Sequence, residues 1–248
     1  MNIILSGIGG HMGREIVTLA CEGKYGACIV GGVDPNGASY EDIPVFKSFD
    51  EADPSCDVIV DFSHHSATEA LLDFAVSHSL PLVIATTGQT EEELKMIKKA
   101  SEKIPLFFAS NYSVGVALLV ELAKKAALVL PDADIEIVET HHNRKVDAPS
   151  GTALTLAKEI ASVKENALIK TGRTGYGKRE KNEIGVQSVR MGNIVGIHEV
   201  MISTASETIT LKHEAHSRAL FAEGALCAAA FLKDKPAGLY DMKAMVSM

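Results

Sequence analysis

The chain has no tryptophan, and only 5% of its 248 residues are aromatic. A surface that stacks nucleic-acid bases needs such rings, so single-strand binding is disfavoured. Excess positive charge is missing too. Lys+Arg number 24 against 32 Asp+Glu, a net charge of −8, and a general nucleic-acid binder would be basic. Cysteine is scarce. Cys21, Cys28, Cys56 and Cys227 form no C-x-x-C pair and fit no zinc template, so they read as reduced thiols. Long apolar runs are absent as well. The longest, Val114 to Leu130, carries Glu121, Lys124 and Lys125 and reads as an amphipathic helix. Ile3-Ile4-Leu5 is too short for a secretory signal. These absences predict a cytoplasmic protein with neither a membrane nor a nucleic-acid partner.

What remains is ordinary globular composition, 46% hydrophobic and 23% charged, long enough for one or two domains. The first half alternates short apolar runs with helical stretches. Strands are expected at Asn2–Ser6, Ala27–Val33, Asp57–Asp61, Leu82–Thr86 and Leu106–Ala109. Helices are expected at His11–Gly23, Ser66–His78 and Glu91–Lys103. That alternation predicts an α/β domain with a parallel sheet. After Pro131 the pattern changes. One strand (135–139), a helix (152–161) and three strands in series (185–190, 194–202, 208–212) predict a second, α+β domain with a mixed or antiparallel sheet. An alanine-rich helix (217–232) closes the pattern.

The first strand runs into Gly7-Ile8-Gly9-Gly10-His11-Met12-Gly13. This is G-x-G-G-x-x-G, one residue longer than the usual dinucleotide turn. Glycines there permit a tight turn and close backbone approach to a pyrophosphate, and the following helix offers N–H groups and positive dipole. Asp34 ends the second strand about 20 residues later, the place for a carboxylate that accepts ribose hydroxyls. Asp34 followed by Pro35, with no arginine for a 2′-phosphate, favours NADH. Use of NADPH stays open. Two further strand ends, Ala85-Thr86-Thr87-Gly88 and Ser110-Asn111-Tyr112-Ser113, are placed to line a nicotinamide, although Thr90 and Ser113 also read as helix caps. The pair His64-His65 reads first as a helix-entry loop.

The densest chemistry lies in Glu139-Thr140-His141-His142-Asn143-Arg144-Lys145-Val146-Asp147-Ala148-Pro149-Ser150-Gly151-Thr152-Ala153. Ser150-Gly151-Thr152 opens a helix with hydroxyls and free N–H groups, a site suited to a carboxylate. Lys145 adds positive charge. His141 and His142 are proton donors of the kind that works near neutral pH. Neighbouring strand residues point to opposite faces, so the two histidines share a metal poorly and no metal is expected. The basic segment Arg173, Lys178, Arg179, Lys181 reads either as a solvated loop or as an attractor for an anionic substrate.

These residues resemble the dihydrodipicolinate reductase family, also called 4-hydroxy-tetrahydrodipicolinate reductases. The resemblance covers essentially the whole chain. Its most specific element is E-x-H-H-x-x-K-x-D-x-P-S-G-T-A at 139–153, joined by Asn111–Gly115 and Ser188–Gly196. It departs at Met191, where a glycine is usual, and at Ile197, where an acid is common. The resemblance implies NAD(P)H-dependent reduction of a cyclic imine dicarboxylate in lysine and diaminopimelate biosynthesis. It implies a Rossmann-type domain, residues 1–112 with 218–248, and a substrate-binding and oligomerisation domain, 113–217, in a homotetramer. It makes His141 the general acid with Lys145 beside it in catalysis. His142, Ser150, Gly151 and Thr152 would hold the dicarboxylate. Gly7, Ile8, Gly9, Gly10, His11, Met12, Asp34, Ala85, Thr86, Thr87, Ser110, Asn111, Tyr112 and Ser113 would contact the cofactor. Other NAD-dependent amino-acid dehydrogenases and a non-catalytic NAD(H) sensor would share the glycine turn, but neither requires the 139–153 segment.

Overall fold

The computed structural model describes residues 1–247. The chain divides into two compact units. One is Met1–Ser113 with the segment from Ala219 onward, and the other is Val114–Arg218. Residue 248, the last of the expected nucleotide-domain span, lies outside the described residues.

The first unit is built on strands β1 (Asn2–Ser6), β2 (Cys28–Val33), β3 (Val45–Phe46), β4 (Val58–Asp61), β5 (Leu82–Ile84), β6 (Pro105–Phe108) and β12 (Gly238–Tyr240). Among the described residues they form one seven-stranded sheet in the order β12-β6-β5-β4-β1-β2-β3, with every pair parallel. Helices α1 (His11–Cys21), α2 (Thr68–Ser77), α3 (Glu91–Ser101), α6 (Ala219–Leu232) and the short α7 (Met242–Val246) belong to this unit. The expected parallel sheet is present. Sequence reading missed β3, β12 and α7, which are two to five residues long. Such segments carry no period of their own, and pairing to a neighbour creates them.

The central strands are apolar throughout because both faces are covered. Ile3, Leu5, Val58, Ile59, Val60, Leu82, Val83 and Ile84 are all fully buried. α3 starts on a capping box. Thr90 Oγ1 accepts the Glu93 N–H, and the Glu93 carboxylate accepts the Thr90 N–H. α6 packs on this unit with alanines and Gly224 inward. A Cβ on Gly224 would collide with the Tyr112 carbonyl.

The second unit carries α4 (Val114–Val129), β7 (Asp134–His141), α5 (Gly151–Ala161), β8 (Leu168–Thr171), β9 (Glu183–Arg190), β10 (Gly196–Ser203) and β11 (Thr208–Ala215). Its sheet runs β11-β10-β7-β9-β8 and is mixed. β7 is antiparallel to β10 but parallel to β9, and β9 is parallel to β8. The α5 crossover makes the parallel pair. β8 was missed because it is exposed or half-exposed along its length and shows no alternation. The buried face holds Ile135, Ile137, Ile184, Val186, Val200 and Ile202, packed on Leu119, Ala123, Leu156 and Ile160 of the two helices. That face sets the register, since a one-residue slip would turn every one of these side chains outward.

Candidate active site

The glycine turn fits a dinucleotide on physical grounds. Gly7 adopts φ +77°, and a Cβ there would lie 2.5 Å from the Phe62 carbonyl oxygen. Gly13 packs so closely on the Gly7 and Ile8 carbonyls that no Cβ fits. Helix α1 starts at Gly10 with no side-chain cap and no acid in its first turn, so its N–H groups are left to an outside anion. Ile8 itself is fully buried, and its side chain fills the space beside Gly32. Only its backbone faces the turn. Met12 is half-buried and His11 exposed. Arg14 donates to the Gly9 carbonyl oxygen at 3.2 Å, which places a cation beside the turn that sequence reasoning passed over.

Asp34 is 7% exposed. Its Oδ2 accepts the Gly9 N–H at 3.0 Å and its Oδ1 the Asn36 N–H at 3.0 Å. The carboxylate therefore braces the glycine turn and keeps lone pairs for further donors. Tyr40 donates to the Ile8 carbonyl at 3.0 Å and pins the segment after Asp34 over the turn. That segment contains Glu41 and Asp42 and no base.

The other strand ends divide into lining and structural residues. Ala85 and Thr86 are buried and Thr87 is exposed. Beneath them lies Asp61, whose pKa is raised by burial and partly restored by the hydroxyls of Ser63, Thr86 and Ser6. Ser110 is exposed, whereas Asn111 accepts the Ser113 N–H through Oδ1 at 2.8 Å. The Tyr112 side chain is a core pin. It is 3% exposed, and its hydroxyl donates to the Ile84 carbonyl at 2.7 Å. His64 caps the turn at 65–67 and His65 meets the Glu93 carboxylate at 3.1 Å, in keeping with a helix-entry loop.

The His-His segment sits where the buried face of the second sheet stops being apolar. Along β7 the inward positions run Ile135, Ile137, Glu139, His141. In register, Glu139 stands between Ser188 on β9 and His198 on β10. His141 pairs with Arg190. Five polar side chains from three strands thus meet at one end of an otherwise apolar layer.

Glu139 is their hub. It is fully buried, and Arg190 grips it with two nitrogens at 2.7 and 2.8 Å. Oε2 meets His141 Nδ1 at 2.5 Å and Oε1 accepts the Ser150 N–H at 3.2 Å. Burial alone would raise the carboxyl pKa. Hydrogen bonds from Arg190, Ser188, His141 and Ser150 outweigh it and bring the pKa to about 2. Glu139 is therefore ionised at any working pH. It holds the His141 ring with Nδ1 inward, which leaves Nε2 facing away from the carboxylate. A Cβ at position 196 would come within 3.1 Å of that Nε2, so Gly196 keeps space beside it.

Ser150 is the N-cap of α5, its Oγ accepting the Ala153 N–H at 3.2 Å. Gly151 begins the helix exposed, with open space around it. Thr152 is half-buried. His142 Nδ1 is buried without a partner, an acceptor or donor to spare at the site. Burial lowers the His142 pKa, and Arg144, His141, Arg218 and Lys145 lower it further, so the ring is neutral at neutral pH. Lys145 pairs with Asp147 at 2.8 Å. The backbone from 141 to 143 is tied to the loop at 191–194: Met191 N–H to the His141 carbonyl, His142 N–H to Ile194 and Asn143 N–H to Gly192. Gly192 takes φ +54° and Met191 does not, so glycine is required at only the second of those positions.

The basic segment is anchored rather than free. Arg173 and Arg179 bind the buried Glu183, Arg179 also meets Asp134 and Glu136, and Lys181 meets Asp132. Three of its four cations, Arg173, Arg179 and Lys181, are thus paired with the protein's own carboxylates, which weakens the case for a substrate attractor. Among the described residues no group of three or more metal-type ligands occurs. No helix among them is long and apolar enough to cross a membrane.

Comparison with known proteins agrees along the full length. The dihydrodipicolinate reductase N-terminal family matches residues 1–112 and the C-terminal family residues 115–246. A 4-hydroxy-tetrahydrodipicolinate reductase of Clostridium tetani is 44% identical over 249 residues, covering 100% of this chain and 97% of that protein. One from Clostridium perfringens is 46% identical over 246 residues, covering 98% and 96%. The solved structure of dipicolinate-bound dihydrodipicolinate reductase from Paenisporosarcina superposes with a TM-score of 0.81 at 25% identity, covering 97% of each chain. Diaminopimelate dehydrogenase of Corynebacterium glutamicum shares the fold, with a TM-score of 0.57 at 13% identity over 98% of this chain and 93% of that one. On two adjoining family matches and full-length identity above 40%, the chain belongs to the dihydrodipicolinate reductase family.

Proposed function

We propose that this chain reduces 4-hydroxy-tetrahydrodipicolinate to tetrahydrodipicolinate, with loss of water, using NADH or NADPH in diaminopimelate and lysine biosynthesis. The observation that carries the reading is the shared base of a proton donor and an anion cradle. Glu139 holds both His141 and the first turn of α5.

The glycine turn at 7–13 and Asp34 would hold the dinucleotide, which when bound would supply hydride for C4 of the conjugated imine left by loss of the substrate hydroxyl. His141 then delivers a proton from Nε2 to the neighbouring carbon. Ser150, Gly151 and Thr152 take one ring carboxylate at the α5 N-terminus, where dipole and N–H groups favour an anion. Lys145 meets a substrate carboxylate by exchanging its Asp147 partner, and the neutral His142 contributes a hydrogen bond. These fixed donors stabilise the charge that moves through the imine.

The test follows nicotinamide absorbance, with substrate made in situ from pyruvate and aspartate semialdehyde by the condensing synthase. Substrate-dependent oxidation supports the reading. Cofactor binding without turnover would overturn it. His141→Ala is expected to lower kcat by about 10²- to 10⁴-fold with KM little changed. Unchanged turnover would remove the acid assignment.

For the cofactor, we favour NADH. A 2′-phosphate beside Asp34 would meet its charge and those of Glu41 and Asp42, with no base between residues 34 and 44. Asp34→Asn should raise the NADPH/NADH ratio of kcat/KM by about tenfold, the scale of one like-charge contact near a surface. A ratio that stays put would show that Asp34 only braces the glycine turn.

A homotetramer fits the outward face of the second sheet. Val138, Val189, Ile197 and Met201 lie there half-buried or exposed, opposite the face covered by α4 and α5. Sedimentation of the full chain at about four times 26.4 kDa is the expected result, and a monomer would refute it. The cytoplasm suits the free thiols of Cys21 and Cys28 at the surface.

A further inference from the structure

Ser150 Oγ has two neighbours. The Ala153 N–H donates to it at 3.2 Å, and His198 Nε2 lies 3.2 Å away. Ser150 is 2% exposed and His198 4%. A hydroxyl has one proton to give and two lone pairs to fill. Ala153 takes one lone pair. The tautomer of His198 decides what becomes of the rest, and so decides what Ser150 can offer a ligand.

The far side of the ring settles the tautomer. His198 Nδ1 is buried with no partner. The ring is neutral at neutral pH, because burial and the neighbouring His141 hold its pKa at about 4. It therefore carries a single N–H. A proton on Nδ1 would bury a donor with no acceptor. A proton on Nε2 is bonded to Ser150 and leaves only a bare lone pair at Nδ1. Buried N–H groups without acceptors are the rarer defect in proteins, and under-used acceptors are better tolerated. The Nε2–H form is favoured. Ser150 Oγ then accepts twice, from Ala153 and from His198. Its own proton has no taker among the described residues and is left for whatever binds at the exposed start of α5.

We propose that His198 is a positioning residue that fixes Ser150 as an obligate hydrogen-bond donor, so that the start of α5 selects a carboxylate and rejects a group that must itself donate. The inference rests on the substrate-site reading above and deepens it. His198 touches no reacting atom. It acts through Ser150, and its effect is on binding and selectivity.

Two measurements on the full chain test this. Ring ¹⁵N NMR of the unmodified protein should show His198 protonated at Nε2, and protonation at Nδ1 would overturn the proposal even if no variant folds. Calorimetric titration with dipicolinate and with its monoamide reads selectivity. His198→Leu should weaken dipicolinate binding about tenfold and cut its preference over the monoamide severalfold, with the remainder kept by Lys145 and the α5 N-terminus. His198→Gln, whose amide nitrogen can stand near Nε2, should restore most of both. NADH affinity should not move in either variant. A folded His198→Leu protein with unchanged preference would refute the role of His198 while leaving the substrate site intact. An unmodified chain that binds NADH but no dipicolinate would overturn the substrate reading itself, and this inference with it.

Discussion

Glu139→Ala is expected to cost stability and activity together, whereas Glu139→Gln should cost mainly activity. The carboxylate is fully buried and satisfies Arg190, His141 and the Ser150 N–H at once. Removing one partner of a buried ion pair leaves the other uncompensated, typically at about 3–5 kcal/mol. Arg190 keeps 19% of its side chain exposed, so the lower end applies. At roughly 2–4 °C per kcal/mol for a chain of this size, Tm should fall by about 6–12 °C. Glutamine keeps the volume and one acceptor for Arg190. Its amide nitrogen cannot accept from His141 Nδ1, so the ring loses its anchor. We expect kcat to fall about a hundredfold in Glu139→Gln, within the usual range for a displaced general acid, with Tm lowered by only a few degrees. Thermal melts and steady-state kinetics on both variants separate the roles. An alanine variant that melts with the parent protein would show that Glu139 is no hub. A fully active glutamine variant would show that His141 needs no carboxylate.

The second large effect is a loss of stability in mild acid that begins well above the carboxylate range. His198 has its pKa lowered from 6.5 to about 4, by burial first and by His141 next, with Glu139 opposing. Between those values the unfolded chain takes up a proton that the folded chain refuses. Stability therefore falls as pH drops from about 6.5 to about 4 and levels off below. The full shift corresponds to roughly 3 kcal/mol at 1.36 kcal/mol per unit. His142 and His213, also lowered by burial, act in the same direction. Glu139 extends the loss. Its folded pKa of about 2 lies below its ordinary 4.5, so the stability it contributes is complete above about 4.5 and is lost as pH falls towards 2. Denaturant unfolding at pH 7, 5.5 and 4 should show a steady decline. In His198→Leu the slope between pH 6.5 and 4 should flatten, while the loss below 4.5 stays. An equal slope in that variant would mean His198 is not the group responsible.

Much of this molecule is legible locally. The strand–glycine–helix start, the alternation of the first half and the Ser150–Thr152 helix start are each fixed by residues within one turn or one strand. Steric freedom at Gly7, the N-cap of Ser150 and apolar runs in β1, β4 and β5 do not wait for distant partners. The two histidines and Lys145 were readable for the same reason, since they occupy one segment between a strand end and a helix cap. Arg190 and His198 were not readable as site residues. They stand 51 and 59 residues from Glu139 in the sequence, and nothing in the spacing says that β9 joins β7 in parallel while β10 joins it antiparallel.

The sequence by itself determined a parallel dinucleotide-type layer, a second mixed unit, and the segment proposed to carry the proton donor and the anion cradle. Tertiary structure alone decided the partners of that segment. Burial of Ile135, Ile137, Val186 and Val200 on one face sets the register of three strands. That register carries Ser188, Glu139 and His198 into one row, and it brings Arg190 onto the Glu139 carboxylate. The hydrophobic effect makes that choice. It is non-directional and acts across the whole sheet, so no local pattern could have specified which distant charge would meet Glu139.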